Sequence, residues 1–364
     1  MRISVPAPCA GSAVTALWSP RTLLTLWLML GCGVSHTALA ARHALIVGVE
    51  RLALLPSIPP LPGVLRDVQE MTHFARAHWG VTADRLHVLA NTPAAKAPPT
   101  HAAVVGAMQR LVREAQSGDE VLVYLSGHGF KQPAPNDSEE TDGYDEVFAL
   151  ADTSRWDPAI QSVRNALIDN ALREWLSTLT ENKVNVWLIV DSCYAGGMSR
   201  GNAQELEQIG TWRITAEKFI FPEWLGIKST RAQAKARLPE GRDGKSFRSI
   251  PGLAPRHATF QPHHPRVLAF YAADETTKAI EVEVDRKEVG LFTHLFMRTA
   301  RQNAALDQLH RKGGLPGRTY KDLTEDLALS YTSLPAQAPR PVFSRVPWAQ
   351  PAFLSPNQTQ ITTK

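Results

Sequence analysis

The 364-residue sequence predicts an α/β fold, a mainly parallel central sheet covered by helices on both faces. Two observations carry this expectation. The runs His43 to Val49, Val121 to Ser126 and Val184 to Asp191 are rich in Val, Ile and Leu without polar alternation, as strands buried on both faces are. The stretches between them repeat their apolar residues at helical spacing, and strand–helix alternation closes a parallel sheet through right-handed crossovers.

The elements follow in order. Residues 1–40 read as a targeting signal, with Arg2 and Arg21 ahead of or beside the apolar run Leu23 to Leu30 and an A-x-A cleavage site at Ala38-Leu39-Ala40. The expected product is exported, periplasmic or extracellular, after cleavage near Ala40. The apolar run is shorter than the roughly 20 residues a helix needs to cross a bilayer, so no membrane span is expected in the mature chain. Met29-Leu30-Gly31-Cys32 approximates a lipoprotein signal but lacks the usual leucine, and a lipid anchor ranks below simple cleavage. Past the first strand, Val64 to His78 sets Leu65, Val68, Met71, Phe74 and Ala75 on one helical face. Leu86 to Leu89 is a short strand, and Ala102 to Glu114 a helix with Val105, Met108 and Leu111 inward.

Phe148 to Ala151 reads as a short strand or hairpin arm, Asp169 as the N-cap of a helix reaching about Leu179, and Arg266 to Ala272 as a strand. Gly290 opens a helix from Leu291 to Gln302. Residues 198–265 lose the pattern to glycines, prolines and bases such as Lys228, Arg231, Arg237, Lys245 and Arg248, which predicts a long exposed insertion. One domain therefore spans 41–300, followed by a 301–364 extension with a helix and a Pro-rich tail that includes one short strand at Val342 to Ser344.

Composition narrows the function. Hydrophobic residues make up 44% and charged residues 20%, enough for a sizeable core. The net charge of +4 comes from 39 basic and 35 acidic residues scattered along the chain, so no nucleic-acid partner is expected. Cys9 and Cys32 precede Ala40, leaving Cys193 as the one mature thiol, either buried as a small apolar residue or used chemically. Ligands of an open parallel sheet bind beyond the carboxyl ends of its strands. Two such ends carry chemistry here: Ser126-Gly127-His128-Gly129, and Asp191-Ser192-Cys193-Tyr194-Ala195-Gly196-Gly197. An imidazole beside a thiol is the usual route to a useful sulfur nucleophile, against the plainer readings of a surface histidine and a structural cysteine.

These two motifs resemble the histidine and cysteine motifs of the caspase-like cysteine peptidases of peptidase family C14, the metacaspases and their bacterial relatives above all. Further stretches are similar: His43 to Val49, Pro62-Gly63 through Asp67, Asp142-Gly143-Tyr144-Asp145-Glu146, and Gly290-Leu291-Phe292-Thr293. The resemblance implies a caspase-like α/β/α sandwich and a cysteine-type endopeptidase acting on protein or peptide substrates. It implies Cys193 as nucleophile, His128 as proton carrier, an acyl-enzyme, and the backbone N–H groups of Gly129 and Cys193 as the oxyanion hole. It also implies a pocket for the residue before the cut formed by Asp67, Ser126 and Asp191, whose carboxylates suit Arg or Lys. Against this stands the reading in which Asp67 caps its helix and Asp191 holds the Cys193 loop.

Calcium-dependent metacaspases carry acids that this chain replaces by Asn170 and Arg200, so no cofactor is expected. The loop acids Asp137, Glu139, Glu140, Asp142, Asp145 and Glu146 remain the calcium alternative. Cleavage after basic residues would make 198–265 a self-cleavage segment. The runner-up function is a catalytically silent peptide-binding or scaffold protein of the same fold, then a cysteine hydrolase of other specificity. Oligomeric state stays open at this level.

Overall fold

The computed structural model describes residues 40–92, 95–134, 143–193, 207–227, 264–274 and 276–344. The chain runs through β1 (Arg42–Gly48), α1 (Gly63–Ala77), β2 (Leu86–Ala90), α2 (His101–Glu114), β3 (Glu120–Ser126) and the arms β4 (Gly129–Pro133) and β5 (Tyr144–Phe148). Short strands β6 (Trp156–Asp157), β7 (Ser162–Val163) and β8 (Leu167–Ile168) lead to α3 (Asp169–Glu181) and β9 (Asn185–Asp191). Then come β10 (Gln208–Ile209), β11 (Trp212–Glu217), β12 (Val267–Tyr271), β13 (Ile280–Val284), β14 (Lys287–Gly290), α4 (Leu291–Lys312), α5 (Tyr320–Tyr331) and β15 (Val342–Phe343).

Six strands form the main sheet in the order β15-β12-β9-β3-β1-β2, parallel except for β15 at one edge. Alternate residues of each strand feed two cores. Ala44 and Ile46 point to the face that packs Val64, Met71 and Phe74 of α1, Leu295 and Phe296 of α4 and Leu323 of α5. Leu45 and Val47 face the other side, with Leu111 of α2 and Leu172 and Leu176 of α3. Because both faces are covered, the strands read as continuous apolar runs, which is why they were legible. Helix boundaries follow local capping. The Thr100 hydroxyl accepts from the Ala103 N–H at the start of α2, and Thr319 with Asp322 forms a reciprocal capping box at the start of α5.

Several expectations need correction. The 198–265 stretch is not exposed and patternless throughout: β10 and β11 pair with β13 and β14 in a four-stranded antiparallel sheet, and Lys218, Phe219 and Ile220 are buried. Short, half-exposed strands with a bulge between Ile214 and Ala216 carry too little periodicity to read. The strand expected at Phe148 to Ala151 ends at Phe148, because its pairing with β4 begins earlier, at Tyr144. Asp169 is not the cap of α3 but its first residue, with Ile168 at the cap position. The last long helix runs to Lys312, past Gln302, and α5 buries Tyr320, Leu323 and Leu327 in the same core, so residue 300 is no domain boundary. The targeting signal, the bases from Lys228 to Arg248, Gly196 and Gly197, and the loop acids Asp137, Glu139, Glu140 and Asp142 lie outside the described residues.

Trp187 on β9 anchors one core. It is fully buried, and the rings of Phe74, Trp79, Phe270, Phe296 and Tyr320 surround it edge-on at centroid distances of 5.0 to 6.1 Å. Trp187→Ala is expected to cost about 3–5 kcal/mol of folding free energy, read as a lower denaturant midpoint.

Candidate active site

Strand register brings the two motif residues together. Ser126, the last residue of β3, pairs with Asp191, the last of β9, and His128 and Cys193 each follow two residues later. Both side chains therefore leave the same end of adjacent parallel strands, and both are buried. The His128 Nε2–H donates to the Pro59 carbonyl at 2.8 Å, since a carbonyl can only accept. That bond selects the tautomer whose Nδ1 carries a lone pair, and Nδ1 has no hydrogen-bond partner. Burial lowers the His128 pKa to about 4, helped by the Lys218 charge and opposed by the Pro59 bond, so the ring is neutral near pH 7. A neutral imidazole is the form that can accept a thiol proton.

The backbone N–H groups of Gly129 and Cys193 converge on one acceptor, the carbonyl oxygen of Lys218, at 3.1 and 3.3 Å. Gly129 permits this closure, because a Cβ there would collide with the Cys193 carbonyl and crowd the Ser192 hydroxyl. The Cys193 thiol lies 3.7 Å from the Thr277 carbonyl. Neighbouring backbone bonds hold the strand in line: the Lys218 N–H donates to Ala279 at 2.8 Å and the Ile220 N–H to Gly129 at 2.9 Å.

The side chain of Lys218 runs into the acidic pocket. Its Nζ lies 2.9 Å from Asp67 Oδ2, 3.0 Å from Asp191 Oδ2 and 2.9 Å from Ser126 Oγ, and the lysine and both carboxylates have no exposed surface. Three donors of the ammonium meet three acceptors, as burying such a charge requires. Burial alone would lower the Lys218 pKa; Asp191, Asp67 and Glu281 outweigh it and hold the group above the ordinary lysine range. Further donors fix the carboxylates. The Gly290 N–H donates to Asp67 Oδ1 at 2.9 Å and the Thr293 hydroxyl to Asp191 Oδ2 at 2.6 Å. A Cβ at Gly290 would clash with Asp191, Asp67 and Lys218 Nζ together, so only glycine leaves room for the cation.

Asp67 lies in the second turn of α1, facing this cluster rather than capping its helix, and Asp191 binds the ammonium as well as Thr293. Sequence reasoning missed Lys218 and Glu281. Nothing in the composition of 198–265 set Lys218 apart from its other bases, and Glu281 sits in a strand that was not read. Glu281 is fully buried, with Oε2 accepting the Gly63 N–H at 3.1 Å and Oε1 lacking a partner. Of the loop acids, Asp145 accepts from Gln132 and Glu146 lies 3.7 Å from Lys131, while Asp169 accepts from Arg173. Among the described residues, no group of three His, Cys, Asp or Glu side chains is arranged to hold a metal ion.

A family model described as "Metacaspase, peptidase C14 domain" matches residues 42–200, which contain β1 through β9 and both motif residues. This segment resembles the caspase-like C14 superfamily. The chain is similar to Metacaspase-6 of Arabidopsis thaliana, 28% identical over 170 residues, covering 47% of this chain and 41% of the relative. It is 30% identical over 158 residues to Metacaspase-1B of Aspergillus fumigatus, covering 43% of this chain and 35% of that one. The chain thus spans about two fifths or less of these relatives' lengths. A crystal structure of a protein from Geobacter sulfurreducens shares the fold, with a TM-score of 0.51 at 17% identity over 87% of this chain and 98% of the other.

Glu281 makes the acidic pocket pH-sensitive. Burial raises its pKa from 4.5 to about 8, with Lys218 opposing and Asp67 and Asp191 reinforcing. The folded state then holds a proton that the unfolded chain has lost, so this group's contribution to stability is fully present below about pH 4.5 and disappears as pH rises through about 8. Glu281→Gln cannot ionise, and its stability relative to wild type is expected to climb between about pH 5 and about pH 9 in denaturant titrations.

Proposed function

We propose that this protein is a cysteine endopeptidase that cleaves after Lys or Arg and that its first substrate is its own Lys218–Phe219 bond. One observation carries the reading: the Lys218 carbonyl accepts from the N–H groups of Gly129 and Cys193 while its ammonium occupies the Asp67, Ser126 and Asp191 pocket. A substrate lysine would need the same two anchors.

In this reaction the Cys193 proton passes to His128 Nδ1, and the sulfur attacks the carbonyl carbon. The developing oxyanion stays between the two backbone donors, which are positioned before charge appears. Collapse breaks the C–N bond, and His128 returns its proton to the leaving amine of Phe219. Water then attacks the thioester, giving up a proton to His128 and releasing the lysine carboxylate and the thiol. The polypeptide backbone supplies the donors and the acids supply selectivity, so this scheme uses no cofactor. Until Lys218 leaves, no other basic side chain can enter, which makes the intact chain self-inhibited. Export through residues 1–40 is part of the same proposal, and the mass of the secreted product would test it.

Purified wild type, Cys193→Ala and Lys218→Gln proteins, incubated with reductant and with or without calcium, test the reading. Wild type should yield a fragment beginning at Phe219 and then hydrolyse fluorogenic Arg and Lys peptides. Cys193→Ala should remain whole and inactive, whereas Lys218→Gln should lose the cut at 218. An intact, peptide-inactive wild type would favour the scaffold reading, and processing that persists in Cys193→Ala would place the cut with another enzyme.

A further inference from the structure

The strand around Lys218 lies in the groove as a substrate would, so its flanking contacts describe which substrates fit. This step rests on the self-substrate reading above. Glu217 precedes the scissile bond by one residue, and Phe219 follows it. One side chain touches both. Lys278 Nζ lies 2.7 Å from Glu217 Oε2, 5.9 Å from the Phe219 ring centroid and 5.2 Å from that of Phe221.

Lys278 is held in place by its own segment. Asp274 Oδ1 accepts the Thr276 N–H and both the Thr276 and Thr277 hydroxyls, at 2.8 to 2.9 Å. The next residue, Ala279, takes the Lys218 N–H through its carbonyl, and Thr277 offers its carbonyl to Cys193. The Lys278 ammonium is thus carried by a strap already docked on the reacting residues. Phe219 is buried at 5% exposure and meets Phe221 edge-on at 5.2 Å, which makes the position after the cut apolar. A cation over the face of these rings gains from their quadrupole, and the same cation pairs with the carboxylate before the lysine.

The geometry points to Lys278 as a specificity-determining residue that selects an acid before the basic residue and an aromatic after it, the pattern acid–Lys/Arg–aromatic. Among the described residues, Lys278 alone has an ion-pair or cation–ring contact with the side chains on both sides of the cut. Glu217 and Lys278 are both partly exposed, at 45% and 35% of their side chains, so the selection is modest and sensitive to salt.

The test uses the processed full chain and internally quenched peptides that differ only in Glu or Gln before Lys and Phe or Ser after it. Wild type should favour Glu over Gln by up to about fivefold in kcat/KM, the upper range for an exposed pair, and the preference should shrink with added salt. Lys278→Glu should reverse it, and the advantage of Phe over Ser should shrink when Lys278 is replaced. As a check within the chain, Lys278→Glu should slow cutting at Phe219, and adding Glu217→Lys should restore it. Equal Glu/Gln ratios in wild type and Lys278→Glu would overturn this inference while leaving the peptidase intact. No Cys193-dependent cleavage of any peptide would instead overturn the peptidase reading beneath it.

Discussion

The buried ion cluster of Lys218 with Asp67 and Asp191 is the contact around which the end of the sheet is organised. Asp67 comes from α1, Asp191 from the end of β9, Ser126 from the end of β3, and Lys218 from the residue after β11. Gly290, the last residue of β14, and Thr293, in the first turn of α4, complete it through their hydrogen bonds to the two acids. Elements far apart in sequence thus meet at one charge. Removing a single member would leave its partners buried without compensation, a loss of about 3–5 kcal/mol in comparable pairs.

The same cluster also fixes backbone position. A lysine side chain has a set length, so anchoring Nζ and pairing the main chain with Ala279 leaves the Lys218 carbonyl between Gly129 and Cys193. Side-chain electrostatics and backbone hydrogen bonding therefore converge on one peptide bond. One ammonium cannot balance three buried acids. Glu281 takes the neutral form instead, and Asp67 is also pushed up, first by burial and then, against the Lys218 charge, by Asp191.

Filling the pocket from within has a physical logic. Paired carboxylates in a dry pocket repel each other and lose their hydration, and an internal cation offsets part of that cost during folding. In the proposed scheme the stabilising contact is also the one that hydrolysis releases, which couples maturation to exposure of the site.

The central strands and most of their helices were legible because burial on both faces writes long apolar runs, and helix amphipathicity repeats every few residues. Both signals are local. The placement of His128 and Cys193 beyond neighbouring strand ends was legible for the same reason, since ligands of a parallel sheet bind beyond the carboxyl ends of its strands. The β11, β13 and β14 strands were not, because half-exposed antiparallel strands of four to six residues with a bulge leave a faint pattern. Lys218 looked like any other base among many. By itself the sequence determined the parallel strands and the two strand ends that carry His128 and Cys193, while Asp67 and Asp191 were singled out only through the family resemblance. Only tertiary structure decided which cation meets those acids, because that choice depends on contacts such as Lys218 to Asp67, 151 residues apart, and no local periodicity records a long-range pair.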